Sequence, residues 1–124
     1  MTKITTTIEP ISLGDELKDV RIVKFDGQLD ETNVDIEAQK IYQIFTESKK
    51  KVVLIFDLSN LTYLNSKSIG YISDWNSKAI ESSGKIFVAC AHDNVMDVLR
   101  VVGLTNIIDF HLTVEEAKLS AMNV

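Results

Sequence analysis

Apolar and polar positions follow two rhythms along this chain, and each rhythm predicts an element type. Ile4 to Glu9, rich in Thr and Ile, reads as a first strand. Gly14 to Lys18 is polar and reads as a loop. Val20 to Phe25 alternates apolar and polar residues, the pattern of a half-exposed edge or hairpin strand, and Gly27 closes it. Asp30 and Thr32 then offer side-chain oxygens for a helix start. That helix is expected from Asn33 to Glu47. Ile36, Lys40, Ile41, Ile44 and Phe45 line one side, with Val34 and Ala38 near its edges. Lys49-Lys50-Lys51 is placed at its end, where cations complement the carbonyl pole of the helix.

Two stretches break the alternation. Lys51 to Leu58 contains Val-Val-Leu-Ile-Phe, and Ile86 to Ala91 reads Ile-Phe-Val-Ala-Cys-Ala. Continuous apolar runs of this kind mark strands covered on both faces, as in a parallel sheet. Between them the pattern predicts a helix from Lys67 to Ser82, stopped by Gly84. Asp93 can cap a short helix, Asn94 to Val102, with Gly103 just past its end. Ile107 to Leu112 reads as a short last strand. Thr113 and Glu116 have capping-box spacing for a terminal helix reaching Met122. Buried strands joined through helices imply βαβ units with right-handed crossovers. The expected class is α/β, with two antiparallel N-terminal strands. Its sheet is mixed and mostly parallel, with about four to five strands and about four helices. No Gly/Ser linker or repeat divides the chain, so residues 1–124 are expected to form one domain.

Composition narrows the function. With 124 residues, 45% of them hydrophobic, the chain can hold a core without covalent staples. Thirteen Lys and Arg against eighteen Asp and Glu leave a net charge of −5, which excludes a nucleic-acid binder needing a basic face. The one cysteine, Cys90, cannot make an internal disulfide, and its apolar neighbours mark it as a small core residue. No apolar run reaches membrane-span length, and the first residues lack the apolar region of a signal peptide. The expected location is the cytoplasm, with no membrane partner.

The informative segment is Asp57 to Gly70, which leaves the buried strand at its carboxyl end and enters the central helix. In open α/β sheets that edge is where ligands and partners bind. Ser66 falls in the first turn of the helix. A phosphate there would lie near free N–H groups and add close to two negative charges at one point, which suits a charge-controlled docking switch. Serine at such a place also serves simply as an N-cap, and Asn65 could take that task instead. On a helical wheel Ile69, Ile72, Asn76, Ala79 and Ile80 face the sheet, while Lys67, Tyr71, Asp74 and Lys78 lie opposite. Trp75 is on the border. Tyr71 and Trp75, four apart, could form an outward aromatic ridge for a partner or be half-buried under a loop. Asn76 on the inner side needs a hydrogen-bond partner.

Catalytic patterns are missing. Leu64 and Ser68 stand where a nucleophile elbow around Ser66 would need glycines. His92 and His111 are separated and, with one cysteine, do not make a zinc site. No Gly-rich phosphate loop is present. The chain reads as a binding protein with no cofactor, not an enzyme.

Asp57 to Gly70 resembles the signature of STAS domains and, more narrowly, of bacterial anti-sigma factor antagonists of the SpoIIAA and RsbV type. Phe25-Asp-Gly-Gln-Leu-Asp-Glu-Thr-Asn resembles that family's Gly-Glu-Leu-Asp turn after the second strand. Leu99-Arg-Val-Val-Gly-Leu-Thr-Asn-Ile-Ile resembles its late helix, glycine and short strand. The resemblance implies a SpoIIAA-like fold and a regulatory role. A serine at the Ser66 position is phosphorylated by a partner serine kinase, itself often an anti-sigma factor. The unphosphorylated antagonist binds that partner and frees a sigma factor for transcription; a phosphatase resets the switch. Asp30, matching the acid of the turn, is then expected close to the switch loop. Tyr71, Asp74, Trp75 and Lys78 would form the partner surface. Where the family commonly reads Asp-Ser-Ser/Thr-Gly, this chain has Asn65-Ser66-Lys67-Ser68. One acid is lost, Lys67 brings a positive charge that could attract a phosphate, and Ser68 adds bulk and a second hydroxyl. The altered motif keeps open an alternative, a non-switched STAS subunit of a lipid-transport or sensory assembly.

Overall fold

The computed structural model describes residues 2–124. Five strands form one sheet in the order β1-β2-β3-β4-β5. They are β1 (Ile4–Ile11), β2 (Lys18–Leu29), β3 (Lys51–Leu64), β4 (Lys85–Ala89) and β5 (Asp109–His111). β1 pairs antiparallel with β2, and every later pairing is parallel. The helices are α1 (Val34–Glu47), α2 (Ser66–Glu81), α3 (Asp93–Val101) and α4 (Val114–Ala121), with a 3-10 turn at Leu104–Asn106 before β5. The α/β class and the mixed sheet follow the expectation; β5, at Asp109–His111, is shorter than the expected Ile107 to Leu112.

The two apolar runs become inner strands whose two faces are both covered. On one face Val52, Leu54, Phe56, Ile86 and Val88 join Val23 and Phe25 of β2 beneath helices α1, α2 and α3. On the other, Val53, Ile55, Phe87 and Ala89 meet Ala117 and Ala121 of α4. Small residues on α4 let its backbone approach the sheet, and Thr113 caps it by accepting from Glu116 N–H at 3.1 Å.

Several local expectations are corrected. Of the two readings of β2, edge or hairpin strand, the hairpin one holds: β2 pairs antiparallel with β1 and lies between β1 and β3. Gly27 does not close it. The strand runs through Gly27 to Leu29 by register shifts, and at φ +126° a Cβ there would meet the Lys3 carbonyl at 2.4 Å. Lys49 and Lys50 follow α1 but lie outside it, and Lys51 opens β3. The turn after α2 is made by Ser83 (φ 67°), with Ser83 N–H donating to Ile80 O and Gly84 N–H to Ala79 O. That is a Schellman motif with serine in the left-handed place, so Gly84 is needed for another reason, taken up below. Ile36 and Ile80 point to solvent, at 60% and 59% exposure, although the wheels put them inward. Cys90 is half-buried at the end of β4 with φ 63°, not a core residue.

Lys18 shows how the chain ends are tied. It is buried, and its ammonium donates to Ala121 O at 3.2 Å and Met122 O at 2.8 Å. A cation on the last carbonyls of α4 satisfies groups the helix leaves free and complements its dipole. Lys18→Met is expected to cost about 2 kcal/mol, the scale of charged hydrogen bonds. Hydrogen exchange should show α4 amides losing protection first. Uniform protection loss across the sheet would contradict that role.

Candidate functional site

β2 and β3 run side by side to the same edge of the sheet, and their ends set the site. Leu29 pairs with Leu64, and Asn65 N–H donates to Leu29 O at 3.1 Å. Asp30 and Asn65 therefore leave adjacent strand ends, one leading to α1 and the other directly to α2. The segment Ser59 to Leu64, read from sequence as part of the exit loop, continues β3, so Asn65 alone links strand to helix. Extra pairing with β2 is what extends the strand there.

Asn65, not Ser66, is the N-cap of α2. Its Oδ1 accepts from Ser68 N–H at 2.9 Å and from the Ser68 hydroxyl at 2.5 Å. Ser68 is 1% exposed and both its polar groups are spent on the cap. Ser66, one residue past the cap, is exposed. The two serines thus divide the tasks that the sequence left open between them. Asn65→Ala should cost about 1–3 kcal/mol, a lost cap plus a stranded buried hydroxyl. Asn65→Asp, which keeps the accepting oxygen, should recover most of it in urea melts. Equal losses in both variants would contradict the cap assignment.

Asp30 lies beside this loop, but its carboxylate is engaged in its own turn. It accepts from Thr32 N–H at 2.9 Å and Thr32 Oγ at 2.6 Å. Hydrogen bonds from Thr2 and Thr32 hold its carboxyl below the usual aspartate range. Asn33, buried at the start of α1, ties the same corner by donating to Thr2 O and Gln28 O and accepting from Asp30 N–H.

The outer face of α2 is joined to α1. Lys67 Nζ lies 2.8 Å from Asp35 Oδ1, and the Tyr71 hydroxyl donates to the same oxygen at 2.6 Å. One turn further, the Tyr42 hydroxyl donates to Asp74. Lys67, then Tyr71, depress the Asp35 pKa; Asp35 in turn raises that of Lys67. Burial first, then Asp74, pushes the Tyr42 hydroxyl up. Asp35 and Tyr42 were missed by sequence reading. The only signal at Asp35 was an acid in a first helical turn, which the dipole explains alone.

Trp75 corrects the aromatic ridge. It is 1% exposed, stacked between Tyr71 at 6.0 Å and Phe56 at 5.5 Å, with Phe25 at 6.4 Å. It belongs to the core, and only Tyr71 of that pair reaches the surface region. Asn76 is buried on the inner side as the wheel indicated. Lys78 is exposed but sits about 18 Å along the helix axis from Ser66, by the rise per residue, and lines a separate groove with Tyr42, Phe45 and Glu81. The structure therefore gathers Asp30, Asn65, Ser66, Lys67 and Ser68 at one edge, with Tyr71 a turn away, and leaves Lys78 apart.

At the neighbouring strand end, the His92 ring bonds to Ser59 O and Asn94 donates to Thr62 O, fastening α3 to β3. Among the described residues no cluster of His, Cys, Asp and Glu could hold a metal, and no helix is long and apolar enough to cross a membrane.

Among curated protein sequences none matches this chain. Solved structures do share its fold. An anti-sigma factor antagonist from Mycobacterium paratuberculosis is 21% identical, with 98% of this chain and 96% of that one covered, at a TM-score of 0.79. The anti-sigma factor antagonist SpoIIAA in its unphosphorylated form is 17% identical over 97% and 98% of the two chains, at 0.80. The murine Solute Carrier 26 family member A9 anion transporter is 17% identical, and 100% of this chain matches 23% of that one at 0.75. The STAS domain model matches residues 15–117, most of the chain; the chain belongs to the STAS domain family.

Proposed function

We propose that this chain is an anti-sigma factor antagonist controlled by phosphorylation at Ser66. With Ser66 free it binds a partner that is both anti-sigma factor and serine kinase, and a sigma factor is released for transcription. With Ser66 phosphorylated it lets go, and a phosphatase resets it. The chain itself is a cytoplasmic binding module; the catalysis belongs to the kinase and the phosphatase. The observation that carries this reading is the division of labour at the start of α2. Asn65 supplies the cap and Ser68 is locked beneath it, so the exposed Ser66 hydroxyl is free for a visiting enzyme. A phosphoryl group there puts nearly two negative charges on a docking edge, where they must be desolvated for a partner to approach. Lys67, Tyr71 and Asp74 supply the flanking surface. The solved neighbours include a Bacillus SpoIIAA in its phosphorylated form, which agrees with the reading.

A second reading, a non-switched subunit of a larger assembly, draws on the anion transporter that carries this fold as a minor part of its length. Intact mass of the protein purified from its native cells separates the two. One phosphoryl group is expected on the wild type and on Ser68→Ala, and none on Ser66→Ala. A phosphoryl group on another residue, or none with the cognate kinase supplied, overturns the switch.

A further inference from the structure

The residue after the acceptor is a lysine, and it is the only Lys or Arg between Leu58 and Trp75. Its ammonium rests on Asp35, an acid 32 residues away on the first turn of α1. The contact is exposed: the two side chains are 57% and 56% accessible. Exposed ion pairs are weak and exchange readily with competing ions. A phosphate on Ser66 would be such a competitor, with nearly twice the charge of a carboxylate and three acceptor oxygens. Adjacent residues on a helix do not face each other. The lysine stem is flexible, however, and its compact charge serves any anion within its arc. Asp35 would gain a repelling neighbour as it lost its cation.

We propose that Lys67 is a two-position lysine: it holds Asp35 while Ser66 is free, and moves to the phosphate when Ser66 is modified, loosening the join between α1 and α2. The move leaves Tyr71 as the remaining partner of Asp35 at this corner. The signal would then change the helix–helix join as well as the charge at the edge. This rests on Ser66 as the acceptor.

The test needs no kinase. Phosphoserine is installed at position 66 during synthesis, in the wild type and in Lys67→Gln. The Asp35 carboxyl carbon-13 signal is read in these two and in the two unmodified proteins at about pH 7.5, where Asp35 is ionised and the phosphate is a dianion. The field of the dianion moves that signal in either background, whereas in the wild type Asp35 also loses its lysine. The expected result is a phosphorylation-induced change in chemical shift larger in the wild type than in Lys67→Gln. An equal or smaller change overturns the proposal, because the lysine has then stayed on Asp35. Lys67 is exposed, so the variant keeps its fold. The outcome is independent of the native mass measurement: absence of phosphate in cells sinks the switch, while equal changes in chemical shift sink only the exchange of the lysine.

Discussion

Trp75→Ala should cost about 3–5 kcal/mol, the range for a large aromatic removed from a packed core. A small domain has about 5–15 kcal/mol in all, so this one truncation takes much of the total. The side chain fills the space between α2 and the sheet. It stacks on Phe56 and Tyr71 and meets Tyr42 edge-on at 6.3 Å. Its removal opens a cavity under the same helix that carries Ser66. Trp75→Phe should cost less, since a six-membered ring stays in the stack and the cavity left is smaller. It also removes an indole N–H that is buried without a partner. Urea unfolding followed by circular dichroism compares the three proteins without the lost fluorophore. A surface anchor would behave oppositely: wild-type stability in Trp75→Ala, with the loss appearing only in partner binding.

Gly84→Ala should be comparably damaging for a residue that changes by a single methyl group. A Cβ at Gly84 would stand 1.8 Å from Val52 O, and that atom is backbone in a central strand. Overpacking against movable side chains costs about 1–3 kcal/mol, and here the neighbour cannot turn aside, so the loss should exceed that range. The junction is fixed further by Ser82, whose hydroxyl accepts from Val52 N–H at 3.0 Å and donates to Ala79 O at 2.6 Å. Ser83→Gly is the contrasting variant. It relieves a left-handed backbone that costs a non-glycine residue about 1 kcal/mol, so its melting point should hold or rise. If Gly84→Ala melts with the wild type, α2 does not meet β3 this closely.

Some of this was legible in the residues. The unbroken apolar runs of β3 and β4 require cover on both faces, whatever the partners are, and so they imply a parallel core. Thr113 with Glu116, and Gly103 after α3, act over a few residues, and such local chemistry survives folding unchanged. The place of Ser66 at the sheet's carboxyl edge follows from the same order of elements. What lay beyond reach was every contact that joins distant segments. Periodicity sets the angles between side chains on α2, but the depth of each depends on what packs there. So Trp75 went inward, over Phe25 and Phe56, while Ile80 stayed out near the helix end. Likewise, Asp35 meets Lys67 only because β2 and β3 end side by side and aim two helix starts at one corner. The sequence by itself determined the order and kind of the elements, because these depend on neighbours a few residues away. Only the tertiary structure decided which serine caps, which aromatic is core and which acid holds the lysine, because each depends on chain segments that meet only after the sheet has formed.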